Sequence, residues 1–123
     1  MFEKKEAFMD NPYRIYELSS LQRGEVVKLV NTRDDEAIFS TFFVVLKGCR
    51  LARAKFDFVF YITAEAVIFE DDTLCVDEGL LANEIAISLN DYCVVHPSPQ
   101  DIVRLNRLFV GNSYPFTLEY TFV

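Results

Sequence analysis

The sequence predicts a mainly β (α+β) fold, a small antiparallel barrel or sandwich of seven to nine strands with one helix near residues 99–109. Three observations lead to this prediction. Short stretches rich in β-branched and aromatic residues recur between polar breaks, one stretch carries the start signals of a helix, and 51% of the 123 residues are hydrophobic. We expect residues 12–123 to form a single globular β-rich domain after a charged lead over residues 1–11.

The first half of the chain predicts three strands with polar connections. Residues 13–18 alternate, residues 25–30 are β-branched, and residues 37–46 form a continuous apolar run typical of a central strand covered on both faces. Residues 49–55 follow this run and are rich in basic residues. They predict a loop or a helical turn.

The second half predicts shorter strands. Residues 56–62 alternate and place three phenylalanines on one face, which predicts a core position for Phe58, and residues 66–69 and 74–76 flank an acidic turn. Residues 80–95 fit either a helix or two strands, at 84–89 and 92–95, that would form a hairpin at Asn90-Asp91. The strand interpretation is slightly favoured.

The predicted helix starts at Ser98, because Ser98-Pro-Gln-Asp101 supplies an N-cap hydroxyl, a proline at the first helical position and a carboxylate at the third. Apolar residues then recur at helical spacing, and Gly111 is placed to follow the last turn as C′. Residues 116–123 alternate strictly and predict a final strand.

Nucleophilic, metal and cofactor motifs are missing from the sequence. The three cysteines, Cys49, Cys75 and Cys93, are odd in number and widely spaced, which favours free thiols in a reducing cytoplasm. His96 is the sole histidine, so neither a catalytic triad nor a zinc site is expected. No targeting segment or apolar run of membrane-spanning length occurs. We expect no enzyme activity, no cofactor and no membrane contact.

The net charge of −7 is unevenly distributed. Residues 1–62 carry ten bases and nine acids, whereas residues 63–123 carry two bases and ten acids. Compensation inside the fold is one explanation of this contrast, and a polarised docking surface is the other. The candidate anion or partner contacts are Lys47, Arg50, Arg53, Lys55, Arg104 and Arg107. The candidate acidic partner surface comprises Glu70, Asp71, Asp72, Asp77 and Glu78.

The leading hypothesis is a non-enzymatic protein-binding or adaptor module, belonging to a small cytoplasmic protein of phage or mobile-element type. A nucleic-acid-associated β-barrel that uses the basic residues is the alternative, although the acidic net charge disfavours it. A small ligand-binding barrel is a third hypothesis. Homo-oligomerisation is a further expectation, because long strands would expose their edges unless they were closed or paired.

Overall fold

The computed structural model describes residues 13–33, 40–55 and 57–118. These residues form one antiparallel sheet and one α-helix, which confirms the mainly β prediction. The elements are a 3-10 helix (Leu18–Ser20), β1 (Val26–Asn31), β2 (Phe42–Ala54), β3 (Asp57–Phe69), β4 (Leu74–Cys75), β5 (Ile85–Ser88), β6 (Tyr92–Val95) and α1 (Pro99–Gly111). Six strands therefore replace the predicted seven to nine within the described residues.

The strands follow the order β4-β3-β2-β1-β6, and β5 pairs with β3 on the same edge as β4. Only residues 89–91 connect β5 to β6, yet β6 pairs with β1 at the other end of the sheet. The sheet must therefore curl until its two ends come close. No ladder joins β5 to β6 among the described strands, so the sheet is open and the predicted barrel is not closed.

The strand interpretation of residues 80–95 is confirmed in its positions and wrong in its pairing. Two strands form there, but they do not pair with each other as a hairpin. Residues 90 and 91 lie instead in the turn that passes from one end of the curled sheet to the other. Alternation predicts a strand, but it does not identify the neighbouring strand.

The prediction of a loop or helical turn over residues 49–55 is wrong, because β2 continues through Ala54. The predicted strands at 56–62 and 66–69 likewise merge into β3. The pairing of β2 with β3 runs from Phe42↔Phe69 to Ala54↔Asp57, with irregularities around Leu46 and Gly48. Pairing with β3 keeps the basic segment extended, and the turn follows at Lys55, whose φ is +46°.

The two larger apolar cores lie on the two faces of the sheet, as the alternation of side chains along a strand requires, and Val30, Cys93 and Val95 form a third, small cluster. On one face, Phe43 and Val45 of β2 pack with Leu105 and Phe109 of α1. On the other face lies a larger core, which includes Leu46, Phe60 and Ile62, and residues from the N-terminal segment and from residues 81–89 pack against it (Ile15, Leu18, Leu21, Leu81, Ile85 and Leu89).

The predicted start of the helix is confirmed. The Ser98 hydroxyl accepts a hydrogen bond from the Asp101 amide at 3.1 Å, and the Asp101 carboxylate accepts one from the Ser98 amide at 3.0 Å, which completes a capping box. The predicted end is wrong by two residues. Gly111 is the last helical residue, Asn112 is the C-cap, and the left-handed conformation falls on Ser113 with φ of +55°.

Two further predicted strands are not formed in the described residues. Residues 13–18 contribute one isolated bridge, Arg14↔Val95, and then enter the 3-10 helix. Residues 116–118 have no strand partner, and the Asn106 side chain accepts a hydrogen bond from the Leu118 amide at 2.8 Å and donates one to its carbonyl at 3.1 Å. The rest of the predicted final strand and the charged lead lie outside the described residues.

Candidate functional site

Ion pairs between the two halves of the chain balance much of the predicted charge contrast. Five are present among the described residues, and four of them join a base of residues 1–62 to an acid of residues 63–123. These four pairs are Arg23–Glu65, Lys28–Asp101, Arg33–Asp91 and Arg50–Glu84, with N–O distances from 2.6 to 3.1 Å. Lys28–Asp101 is partly buried, whereas the other three pairs are more exposed; exposed pairs add little stability, but they do satisfy charge locally.

The six predicted basic contacts do not form one patch. Lys47, Arg50 and Arg53 lie on β2 and Lys55 follows it, whereas Arg104 and Arg107 lie on α1. Alternation along β2 places Arg50 and Arg53 on opposite faces.

Arg50 and Arg104 are already engaged. Arg50 donates two hydrogen bonds of 3.0 Å to the Glu84 carboxylate and lies 4.0 Å from the centre of the Tyr61 ring. These hydrogen bonds raise the pKa of Arg50 and lower the pKa of Glu84. Arg104 pairs with Asp72 and donates a hydrogen bond of 2.9 Å to the Glu70 carbonyl.

The five predicted acidic residues lie in two turns, one on either side of β4. Asp71 accepts a hydrogen bond from the Thr73 amide at 3.1 Å, and hydrogen bonding to Thr73 lowers the pKa of Asp71. The Asp77 carboxylate accepts from the amides of Gly79 and Leu80 at 2.8 and 3.2 Å. With Asp72 bound to Arg104, three of the five carboxylates form hydrogen bonds or an ion pair within the fold, although all five residues are exposed.

An open groove of about 420 Å³ lies at the outer end of the β2–β3 hairpin. We call residues 47–54 with 57–63 the hairpin arm, and the cavity between this arm and residues 14–19 the arm groove. Leu51 and Phe58 of the arm form one wall, the N-terminal segment forms the opposite wall, and apolar residues of β6 lie between them. Three large side chains at this groove are exposed, namely Tyr16 at 75%, Phe58 at 51% and Leu51 at 45%.

Arginine side chains lie over two of the exposed rings at this groove. The Arg14 guanidinium is 5.4 Å from the centre of the Tyr16 ring, and that of Arg53 is 5.9 Å from the centre of the Phe58 ring. Both distances allow a cation–π attraction. Neither arginine has an ion pair within the described part of the chain. Glu17 is the one carboxylate among the residues that line the groove.

The groove offers binding contacts rather than reactive groups. Burial raises the pKa of the Cys93 thiol and of the Tyr92 hydroxyl, so both stay protonated at neutral pH and neither is an activated nucleophile. Across residues 13–33, 40–55 and 57–118, no three His, Cys, Asp or Glu side chains are grouped so that they could hold a metal ion.

A second cleft of about 400 Å³ contains His96 together with Lys28, Glu70 and Asp101. The Asp101 carboxylate accepts a hydrogen bond from the Ser98 amide in the helix cap, and it pairs with Lys28, whose ammonium nitrogen lies 3.1 Å away. The hydroxyl of Ser98, which also lines the cleft, is bound to the Asp101 amide. The cleft therefore links the start of α1 to β1.

Comparisons with protein-family models, with curated proteins and with solved structures gave no significant match to this chain. In the described part of the chain, no helix combines the length and the apolar character that a membrane crossing requires. The functional interpretation therefore depends on the geometry of the groove.

The residues that form the walls of the arm groove were missed by sequence reasoning. Phe58 was predicted in the core together with Phe56 and Phe60, but it is half exposed near the start of β3. Leu51 falls in the predicted loop. Cys49 and Leu51 are apolar and lie two positions apart, with Arg50 between them. This alternation is the signal that could have indicated a strand with one apolar face.

Proposed function

We propose that this protein is a non-enzymatic protein-binding module and that the arm groove is its docking site. The observation that carries the proposal is the grouping of three exposed apolar side chains, Tyr16, Leu51 and Phe58, around one groove. Single exposed apolar residues are ordinary on protein surfaces, whereas a group around a concave site is typical of an interaction surface.

Protein is a better occupant of this groove than nucleic acid. Most of the apolar lining is aliphatic, contributed by Ile15, Leu18, Leu51, Leu89 and Val94, and it suits side chains better than stacked bases. Nucleic-acid binding gains its affinity from many free lysine and arginine side chains. In this molecule of net charge −7, Arg50 and Arg104 are already paired with carboxylates. The nucleic-acid alternative would have to depend on the remaining lysine and arginine side chains.

A reducing cytoplasm is part of the proposal. It is supported by the three cysteines, which are free, with Cys93 buried and Cys49 and Cys75 half-buried. Burial raises the pKa of Cys49 and of Cys93, which keeps both thiols protonated and slow to oxidise. A single globular domain over residues 12–123 also remains part of the proposal.

The proposal predicts that Leu51→Asp abolishes docking without unfolding the protein. Peptides selected from a random display library on the unmodified protein would be measured by fluorescence anisotropy on each variant. We expect the affinity to fall at least about tenfold in Leu51→Asp, because a carboxylate would replace an apolar contact in the groove wall. Thermal unfolding should remain cooperative with at most a modest loss of stability, since Leu51 is already 45% exposed.

Leu80→Asp is the matched control, because Leu80 is 73% exposed and does not line the groove. It carries the same change of side chain and charge and should bind the selected peptides as well as the unmodified protein does. Equal binding by Leu51→Asp and Leu80→Asp would place the docking site elsewhere. Failure of the selection to yield any peptide that depends on Leu51 would also contradict the proposal.

A further inference from the structure

We infer that the arm groove binds an extended, acidic segment of a partner protein, which adds to the sheet as a strand along the outer part of β2. This inference rests on the proposed docking function and specifies the chemistry of the partner. Three features of the hairpin arm support it, namely an unpaired strand edge, unpaired bases and a charge pattern that opposes self-pairing.

The outer part of β2 has a free edge. β2 pairs with β3 along its whole length, from Phe42 to Ala54, but its ladder with β1 covers only Phe42–Val45. The pairing along this edge ends with two hydrogen bonds at Leu46. The Gly24 amide donates to the Leu46 carbonyl, and the Leu46 amide donates to the Glu25 carbonyl. Beyond Leu46, no described segment other than β3 forms a backbone hydrogen bond with β2.

The usable part of this edge lies beside the groove. The thiol of Cys49 donates to the Leu21 carbonyl at 3.9 Å, so the N-terminal segment lies against β2 up to that point. Further out, the groove opens between residues 16–19 and Leu51. In an antiparallel pair, alternate backbone groups of a strand point away from their partner. Residues 50–54 therefore present amide and carbonyl groups that a peptide in the groove could pair with.

The charges around this edge favour an acidic occupant. Five bases of the described residues form no ion pair, and four of these belong to the hairpin arm, its turn or the opposite wall of the groove: Arg14, Lys47, Arg53 and Lys55. The fifth, Arg107, lies on α1. Glu17 is the single acid of the groove lining. Asp57 is the one acid of the hairpin arm itself, so four unpaired bases outnumber two acids around this edge, which is locally basic in a protein that is acidic as a whole.

The same charges oppose a second copy of this chain on the edge. If two β2 strands paired antiparallel about Leu51, Lys47 of one copy would approach Lys55 of the other. If they paired about Arg50, Lys47 would lie opposite Arg53, and the two Arg50 residues would face each other. Like charges directly opposite destabilise a strand pair, whereas an acidic strand would turn each of these contacts into an attraction.

Alternation also predicts the pattern of the bound segment. Leu51, Arg53 and Phe58 share the groove face of the arm, since Arg53 pairs with Phe58 across the two strands. The groove-facing residues of an added strand would therefore be apolar beside Leu51 and acidic beside Arg53, two positions away. An apolar residue and an acidic residue at spacing two form the predicted recognition motif.

Synthetic peptides of matched composition test this inference. One peptide carries apolar residues (Val, Ile or Tyr) and Glu in turn at every second position, with Thr between them, so that an apolar residue and Glu recur at spacing two, and its counterpart has Lys at every Glu position. Fluorescence anisotropy should show binding of the acidic peptide at least about tenfold tighter than that of the basic one. The double variant Arg14→Glu/Arg53→Glu should weaken binding of the acidic peptide by at least about tenfold, and the control Arg107→Glu should change it by less than about twofold.

N-methylation of the acidic peptide tests the added strand itself. In an added strand, the amides of every second residue point toward β2 and donate to it, and the intervening amides point away. Methylating the first set should abolish binding, whereas methylating the second set should be tolerated. Equal loss in both registers would overturn strand addition. Binding that is equal for the acidic and basic peptides would overturn the acidic partner.

These results are distinguishable from a failure of the docking function. If library peptides depend on Leu51 but are neither acidic nor sensitive to alternate methylation, the groove is a docking site and this inference is wrong. If the peptides ignore Leu51→Asp, both proposals fall. Binding of an oligothymidine probe that is lost in Arg14→Glu/Arg53→Glu would overturn the choice of protein. A dimer in light scattering that Leu51→Asp dissociates would place a second copy on the edge.

Discussion

The inner and outer halves of the β2–β3 hairpin differ in what surrounds them. In the inner half, Phe42–Leu46 is entirely buried: β1 and β3 flank it within the sheet, and an apolar core covers each face. The outer half, the hairpin arm, has β5 beside β3 but no described strand beside β2. Phe58 and Leu51 are exposed there, although both halves contain aromatic and aliphatic residues.

This difference shows that the neighbours of a strand, more than its own composition, decide whether it supplies the core or a binding surface. The same two strands continue through both halves, and alternation places apolar side chains on a common face in each. The helix and the N-terminal segment reach the inner half, where the apolar faces are covered. They leave the end of the arm open, and the groove forms where this cover ends.

The comparison is tested most strongly by truncating one phenylalanine in each half. Phe43 is 1% exposed and packs in the core beside α1, so Phe43→Ala should lower the free energy of unfolding by about 3–5 kcal/mol. Phe58 is half exposed, and Phe58→Ala should cost less than about 1.5 kcal/mol because much of its surface is already in water. Urea denaturation followed by circular dichroism measures both values.

The same pair of variants separates stability from binding. Phe58→Ala should weaken binding of the selected peptides, since its ring forms part of the groove wall, while leaving the unfolding transition cooperative. Similar losses of stability in the two variants would show that the arm is as tightly packed as the inner half, and would contradict the comparison.

Residue pattern was enough to locate most of the inner half. β1 coincides closely with the predicted strand at residues 25–30, and the helix begins at its predicted cap because the Ser98–Asp101 hydrogen bonds are local. These features depend on side chains within a few positions of one another. Local physical chemistry therefore decides them.

The β3 side of the outer half was predicted as a strand at residues 56–62, but the β2 side could not be predicted because its structure depends on contacts distant in the sequence. Residues 49–55 are extended since they pair with β3, and nothing in Arg50 or Arg53 favours a strand by itself. The groove needs residues 14–19 to face Leu51 and Phe58, and the curl of the sheet depends on β5 and β6 choosing opposite edges. The basic residues that lack an ion pair can be identified only from the structure, because the ion pairs join residues that are distant in the sequence.

The contribution of ion pairs to stability gives a second, smaller contrast, between the start of α1 and the hairpin arm. Lys28–Asp101 ties β1 to the start of α1, and Asp101 also completes the helix cap. Asp101→Ala should therefore cost about 1–2 kcal/mol in urea denaturation. Arg50–Glu84 lies on the exposed arm, and Glu84→Gln should leave the denaturation midpoint unchanged. Equal losses from both changes would show that helix capping adds no stability beyond that of an ion pair.

The smallest expected effect is a shift in the titration of Glu84, measured by carboxyl NMR. Hydrogen bonds from Arg50 lower the pKa of Glu84, and hydrogen bonding to Thr73 lowers the pKa of Asp71, so Arg50→Gln should return only the Glu84 pKa toward its ordinary value. Because the folded-state pKa of Glu84 is depressed, its pair with Arg50 favours folding above the unfolded-state pKa, and this contribution is lost as pH falls through the folded-state pKa. High salt should raise the Glu84 pKa more than the Asp71 pKa, since it screens a charge pair more than a hydrogen bond to a neutral group. A Glu84 pKa that stays low in Arg50→Gln would show that the arm holds this carboxylate by contacts other than Arg50.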